Sequence, residues 1–162
     1  MMPNEPSSEK LEQRAKNVLL FQLSRSMKTR YQLANILKKR EIPEEIANAV
    51  LDRFTEAQLI DDAAFARAFV NSRIAIAGKS KSVISRELKQ KGVSAEDAEV
   101  ALSIIDQELE SETAYTAAKK RYQQLSSLAP EVRKRRLMGF LMRRGFSGAL
   151  VSRILRDLEQ SE

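Results

Sequence analysis

The chain has 162 residues with no Cys and no His, which excludes disulfides, thiolate chemistry and imidazole-based acid–base or metal chemistry. Hydrophobic residues make up 43% and charged residues 31%, with only 5 Gly and 4 Pro, which suits a soluble, mostly helical protein rather than a turn-rich sandwich. The net charge of +6 is uneven: residues 1–60 carry 10 basic and 8 acidic groups, residues 61–112 carry 7 and 10, and residues 113–162 carry 11 and 4.

Met1 to Glu9 is polar, contains Pro3 and Pro6, and lacks the apolar centre of a signal peptide, so residues 1–8 are expected to form a disordered leader. No apolar run approaches the roughly 20 residues that span a bilayer. A cytoplasmic protein without a membrane partner is expected. Ser8 is placed to cap a first helix from about Glu9 to Ser26. That helix carries Leu11, Ala15, Val18, Leu19, Leu20 and Phe21. It is apolar nearly all round, which predicts a helix set between neighbours.

Thr29 reads as the cap of a second helix, with Gln32 completing a capping box. Leu33, Ile36 and Leu37 supply its inner face. It ends in Lys38, Lys39 and Arg40, cations at the negative end of the helix dipole. Ile42 and Pro43 make a turn, and Pro43 suits a helix start. The third helix runs from about Glu44 to Phe54, with Ile46, Val50 and Leu51 inward.

Asp61 and Asp62 open the next helix, whose face is Phe65, Ala66, Phe69 and Val70 and whose end is expected near Gly78. A catalytic carboxylate pair is a weaker reading of these two than a helix cap, because they stand directly before Phe65. Ser80 or Ser82 caps the following helix, with Val83, Ile84 and Leu88 inward. Lys89 to Gly92 closes it, and Gly92 suits a left-handed C-cap. Ser94 caps the sixth helix, with Asp97 three residues on. From Glu96 to Glu112 there are seven acidic residues and no basic one.

A third group is expected to begin near Ser111, with Tyr115, Ala118, Tyr122 and Leu125 at helical spacing. Ser126 to Pro130 reads as a loop. Leu137, Phe140 and Leu141 mark the eighth helix, which ends at Arg143, Arg144 and Gly145. Phe146 and Ser147 turn into the last helix, which carries Val151, Ile154, Leu155 and Leu158. No segment alternates with period two. The fold class is all-α, with nine helices in three groups.

Those groups repeat in register. Leu33, Leu37, Ile42, Val50 and Leu51 correspond to Ile84, Leu88, Val93, Ala101 and Leu102, and then to Leu137, Leu141, Phe146, Ile154 and Leu155. The steps are 4, 5, 8 and 1 residues in every copy. Three copies in register predict an array of three-helix repeats over 9–60, 61–110 and 111–162. Units that stack with a constant rotation would set their basic turns in a spaced row suited to a polyanion or an acidic protein surface.

The candidate contact residues are Lys38, Lys39, Arg40, Arg73, Lys89, Lys91, Arg133, Arg136, Arg143 and Arg144. Arg136 and Arg143 share a helix face, with Arg133 nearby, and no acidic residue lies between Val132 and Arg156. Phosphate contact is plausible there, with little sequence selectivity, since nothing resembles a base-reading code. No phosphate loop, metal cluster or activated nucleophile is visible, so no cofactor, metal or enzymatic activity is expected.

The stretch Leu59 to Arg73, built on Asp61-Asp62-x-x-Phe65-Ala66-x-x-Phe69-Val70-x-x-Arg73, resembles the signature of the RecX family, bacterial regulators of the RecA recombinase. Ser85 to Val93, Leu137 to Ser147, Leu23-Ser24-Arg25 and Tyr31-Gln32-Leu33 are similar to further parts of that pattern. The resemblance spans roughly residues 15–157. It implies three tandem three-helix repeats in an elongated, curved array. It also implies binding of the RecA–DNA filament, which lowers RecA's ATPase and strand-exchange activity. A monomer is expected, with the DNA backbone as a further candidate contact. Two positions depart from the pattern. Glu41 stands where the later turns have Gly92 and Gly145, so a less tightly capped first turn is expected. Gln58 stands where the family often has Gly. The rival reading is a helical module that binds DNA or RNA directly, without RecA.

Overall fold

The computed structural model describes residues 5–161. Nine helices and no strand occur among them: α1 (Ser8–Arg25), α2 (Arg30–Lys39), α3 (Glu44–Glu56), α4 (Asp62–Ala75), α5 (Lys81–Gln90), α6 (Ala95–Leu102), α7 (Gln107–Gln124), α8 (Pro130–Arg143) and α9 (Gly148–Gln160). They form three bundles, α1–α3, α4–α6 and α7–α9, each around its own apolar core. Broad helix–helix packing is confined to pairs within a bundle. The bundles therefore form an open series rather than one globule.

The repeated apolar positions are the reason for this division. All of them are buried, none more than 7% exposed. Each copy places two of them on the middle helix, one in the turn and two on the last helix, so a single pattern builds three equivalent cores. Burial of side chains of this size contributes roughly 1.5–3 kcal/mol apiece.

The helix starts follow the hydroxyl and carboxyl caps in the sequence. Thr29 and Gln32 form the full capping box of α2. Asp61, Ser80, Ser94 and Ser147 each accept a first-turn N–H. The Asp61–Asp62 pair is structural: Asp61 caps α4 through the Ala64 N–H at 3.0 Å.

The turns after α2, α5 and α8 are superposable in their bonding. Glu41, Gly92 and Gly145 all take positive φ, at 61°, 80° and 89°. The N–H of each donates to the carbonyl three residues back, and the next N–H donates to the carbonyl five residues back. This is the Schellman closure of a helix C-terminus. The first turn is thus closed as fully as the others, against the looser cap expected from Glu41: the hydrogen bonds need only the backbone angle, which Glu can adopt under strain. Gln58, at φ 60°, ends α3 the same way.

Two joints of one design connect the bundles. At the first, the turn after α5 rests on the N-terminus of α2: Thr29 Oγ1 donates to the Lys91 carbonyl at 2.6 Å, and Gly92 lies against Tyr31. At the second, the turn after α8 rests on the N-terminus of α5. There the Ser80 N–H donates to the Arg144 carbonyl at 3.0 Å, and Gly145 lies against Ser80 and Val83. A carboxylate reinforces each joint: Asp62 accepts from the Arg30 N–H at 2.9 Å, and Glu110 accepts from the Lys81 N–H at 2.5 Å. Helix N-termini present unpaired N–H groups and partial positive charge, so a carbonyl-rich helix end and a carboxylate are what they attract. Burial nonetheless pushes the Asp62 carboxyl above the usual carboxylate range, more than the Arg30 hydrogen bond lowers it. In consequence α8, α5 and α2 follow one another end to end.

Thr29 is fully buried and serves two elements at once, accepting from the Gln32 N–H at 3.1 Å while donating to Lys91. Thr29→Val keeps the shape and removes both bonds. It is expected to lower the unfolding free energy by about 2–3 kcal/mol, with Thr29→Ser, which keeps the hydroxyl, losing much less. Urea denaturation followed by circular dichroism measures this.

Four expectations need correction. Helix α1 begins one residue earlier, because Ser7 rather than Ser8 caps it through the Lys10 N–H. The leader is correspondingly shorter, and residues 1–4 lie outside the described residues. Leu20 and Phe21 are 52% and 55% exposed, so α1 is not enclosed: its only broad neighbours are α2 and α3, which cover the Ala15–Leu19 side. Helix α4 ends at Ala75, before the positive-φ Gly78. Helix α7 starts at Gln107 rather than near Ser111, because Asp106 accepts the Leu109 N–H at 2.8 Å.

Candidate functional site

The helix stack sets where charge can be offered to a partner. Ten-residue helices rising about 1.5 Å per residue separate successive basic turns by roughly 15 Å plus the width of a joint. The turns follow one another through the α8–α5–α2 series, but two of the three are the joints themselves. That changes what their cations are available for.

Lys38 and Lys39 in the last turn of α2, and Arg40 at its C-cap, are all exposed. No ion pair engages them among the described residues, and the backbone hydrogen bonds of this turn all stay within its own bundle. At the first joint Lys89 is exposed, while Lys91 is half-buried with its carbonyl bound by Thr29. At the second joint Arg144 is half-buried, its guanidinium 4.5 Å from the centre of the Phe140 ring and its carbonyl bound by Ser80.

Arg73 is turned inward. Its Nε donates to Glu87 at 2.9 Å and its guanidinium lies 4.6 Å above Phe69. Lys79 reaches the other oxygen of the same carboxylate. Arg73 thus ties α4 to α5 and is a fixture of the second bundle. Burial pulls the Glu87 carboxyl up, yet Lys79 and Arg73 outweigh it and hold it below the usual carboxylate range. A carboxyl lowered by folding adds stability above its unfolded value and loses it as pH falls through the lowered one. Glu87→Gln is expected to reduce stability by about 1 kcal/mol near neutral pH. The difference should vanish in acid below the carboxylate range, which urea titrations at stepped pH will show.

On α8 the four-cation run divides by facing. Arg133 packs inward: its Nε and Nη2 donate to the Tyr122 carbonyl at 3.0 and 2.7 Å, with the guanidinium 3.2 Å from the ring centre. Lys134 pairs with Glu159 at 3.2 Å. Arg136 and Arg143 remain exposed, two turns apart on one face, with Arg135 beside them. An ion-pair-free strip on α8 and the tip of α2 therefore hold most of the exposed candidate cations, with Lys89 at the first joint. Residues on α7 were overlooked in the sequence: Lys120 and Arg121 line a groove with Arg144, and the Lys119-Lys120-Arg121 run was the signal for them.

No group of His, Cys, Asp or Glu among the described residues is arranged to hold a metal, and no helix among them is long and apolar enough to cross a membrane. The arrangement offers recognition of anionic surfaces by geometry and charge.

Comparison with known proteins matches the three bundles one by one. Residues 15–54 match the family model described as RecX, first three-helix domain, residues 61–102 the second, and residues 108–155 the third. The chain is 40% identical over 154 residues to Regulatory protein RecX of Thermobifida fusca (strain YX), covering 95% of this chain and 83% of that one. It is 42% identical over 158 residues to Regulatory protein RecX of Streptomyces lividans, covering 98% and 84%. Among solved structures, the crystal structure of RecX from Lactobacillus salivarius shares the fold with a TM-score of 0.77 at 24% identity, over 94% of this chain and 99% of that one.

Proposed function

This chain belongs to the RecX family of regulatory proteins, and we propose that it acts by binding the RecA–DNA filament and lowering RecA's ATPase and strand-exchange activity. The role is one of contact, without chemistry of its own, exerted by a single chain in the cytoplasm. The observation that carries the reading is the end-to-end stack of three bundles, with free cations along α8 and at the far tip of α2. A slender body with charge at separated points suits a polymer of repeating subunits. Contacts that are weak singly add up through effective concentration once the first is made. Spanning neighbouring filament subunits would block subunit addition or hold the filament in a less active state.

The test is RecA's DNA-dependent ATP hydrolysis with the purified protein titrated in at two salt concentrations. Dose-dependent loss of hydrolysis, weaker at high salt, is the expected result. Binding to bare single-stranded DNA is measured alongside binding to RecA-coated DNA. Equal, salt-sensitive affinity for both would overturn the filament reading in favour of direct nucleic-acid binding.

A further inference from the structure

Beside the second joint lies a groove of about 600 Å³ between the end of α4 with its following turn, α7, and the last part of α8. Its floor is Phe140, with the Arg144 guanidinium at 4.5 Å and that of Arg121 at 5.6 Å from the ring centre. Arg121 Nη1 donates to Gln124, but its Nε is buried with no hydrogen-bond partner. Unpaired buried donors are rare. Lys120 adds a third cation, and Glu112 is the one carboxylate in the lining. On the α4 side stands Ile76, 85% exposed, the most exposed large apolar side chain among the described residues.

We propose that this groove docks an acidic peptide segment in which a bulky apolar residue stands beside Asp or Glu. The two guanidinium groups are already positioned by the Phe140 ring, so little side-chain freedom is lost when they take a carboxylate. Charge-assisted bonds from such forks are the strong ones. Ile76 and Ile74 supply the apolar contact beside them. A phosphodiester chain fits less well. The Phe140 face that would stack a base is occupied by Arg144, and an exposed isoleucine offers nothing to a phosphate. The proposal concerns this groove alone and does not depend on the filament reading.

Fluorescence anisotropy of the full chain with a short labelled peptide, Asp and Glu around a central Leu-Phe pair, tests it. The expected result is saturable binding that falls with salt. Replacing the acids by Asn and Gln, or Leu-Phe by Ser-Ser, should abolish it. Ile76→Glu should weaken binding about tenfold or more through like-charge repulsion. Because that side chain is solvent-exposed, the helical signal and the unfolding midpoint should not change. No binding, binding indifferent to Ile76→Glu, or displacement by oligo-dT at equal concentration would each overturn the proposal. RecA hydrolysis measured in parallel separates the two readings: inhibition without peptide binding sinks only the groove, and peptide binding without inhibition sinks only the filament.

Discussion

Gly145→Ala is expected to lower the unfolding free energy by about 2–5 kcal/mol and to loosen the third bundle from the second. Two effects add. The residue sits at φ 89°, where an L side chain is strained, by roughly 1–2 kcal/mol. A Cβ there would also lie 2.3 Å from Ser80 Oγ and 2.4 Å from a Val83 methyl, and relieving such overlap costs about 1–3 kcal/mol more. Gly92→Ala should behave alike at the first joint, since its Cβ would meet the Cβ of Tyr31 at 2.2 Å, an atom that cannot rotate away. Glu41→Gly is the informative contrast. The backbone angle is likewise positive, but no backbone hydrogen bond ties that turn to another bundle among the described residues. Glycine there should be neutral or stabilising by up to about 1 kcal/mol. Urea denaturation gives the energies, and hydrogen exchange at the Ser80 amide, which donates across the second joint, gives the loosening. Equal, small effects of Gly145→Ala and Glu41→Gly would show that the turns do not bear on their neighbours.

The second large effect is functional. Reversing both Arg136 and Arg143 to Glu should weaken inhibition of RecA ATP hydrolysis by about tenfold or more. The salt dependence of what remains should be flatter, because charges that repel a partner no longer contribute to its attraction. Both side chains are exposed and take no part in an ion pair among the described residues. The stability change should therefore stay within about 0.5 kcal/mol. Arg133→Gln is the paired control, three residues from Arg136. Its guanidinium is spent on Tyr122, so it should destabilise the third bundle while inhibition at saturating protein persists. The reverse outcome, with Arg133 deciding inhibition and the outer pair silent, would move the contact surface off the exposed face of α8.

Within each bundle the sequence was a good guide, because apolar spacing and capping residues act over a few positions. The Leu33–Leu37–Ile42 steps and their two echoes located the cores, and Thr29, Asp61, Ser80, Ser94 and Ser147 located helix starts. What lay hidden was the meeting of bundles. The joints run largely through backbone carbonyls and N–H groups of Lys91, Arg144, Arg30 and Lys81, which leave no mark on residue type. Gly92 and Gly145 signalled a backbone angle. That they also make room for Tyr31 and Ser80 depends on residues some sixty positions away. The candidate cations suffered the same limit. Arg133 and Arg136 are alike in the sequence, one helical turn apart, yet one lies against an aromatic ring and the other faces water.

A head-to-tail joint has no inherent stopping point: plug and socket recur, and a heterologous contact of this kind can generate open fibres. Both ends of this stack differ from the fitted joints. The free plug, after α2, carries Glu41 where a fitted plug has a hydrogen in place of a side chain. The free socket is roofed over. Counting four residues back from Leu33 and Ile84 reaches the caps Thr29 and Ser80, but the same count from Leu137 reaches Arg133, already one turn inside a helix that starts at Pro130. That extra turn stands where a fourth unit, or another molecule's tip, would have to seat. One side chain at one end and one surplus turn at the other thus set these ends apart from the two fitted joints.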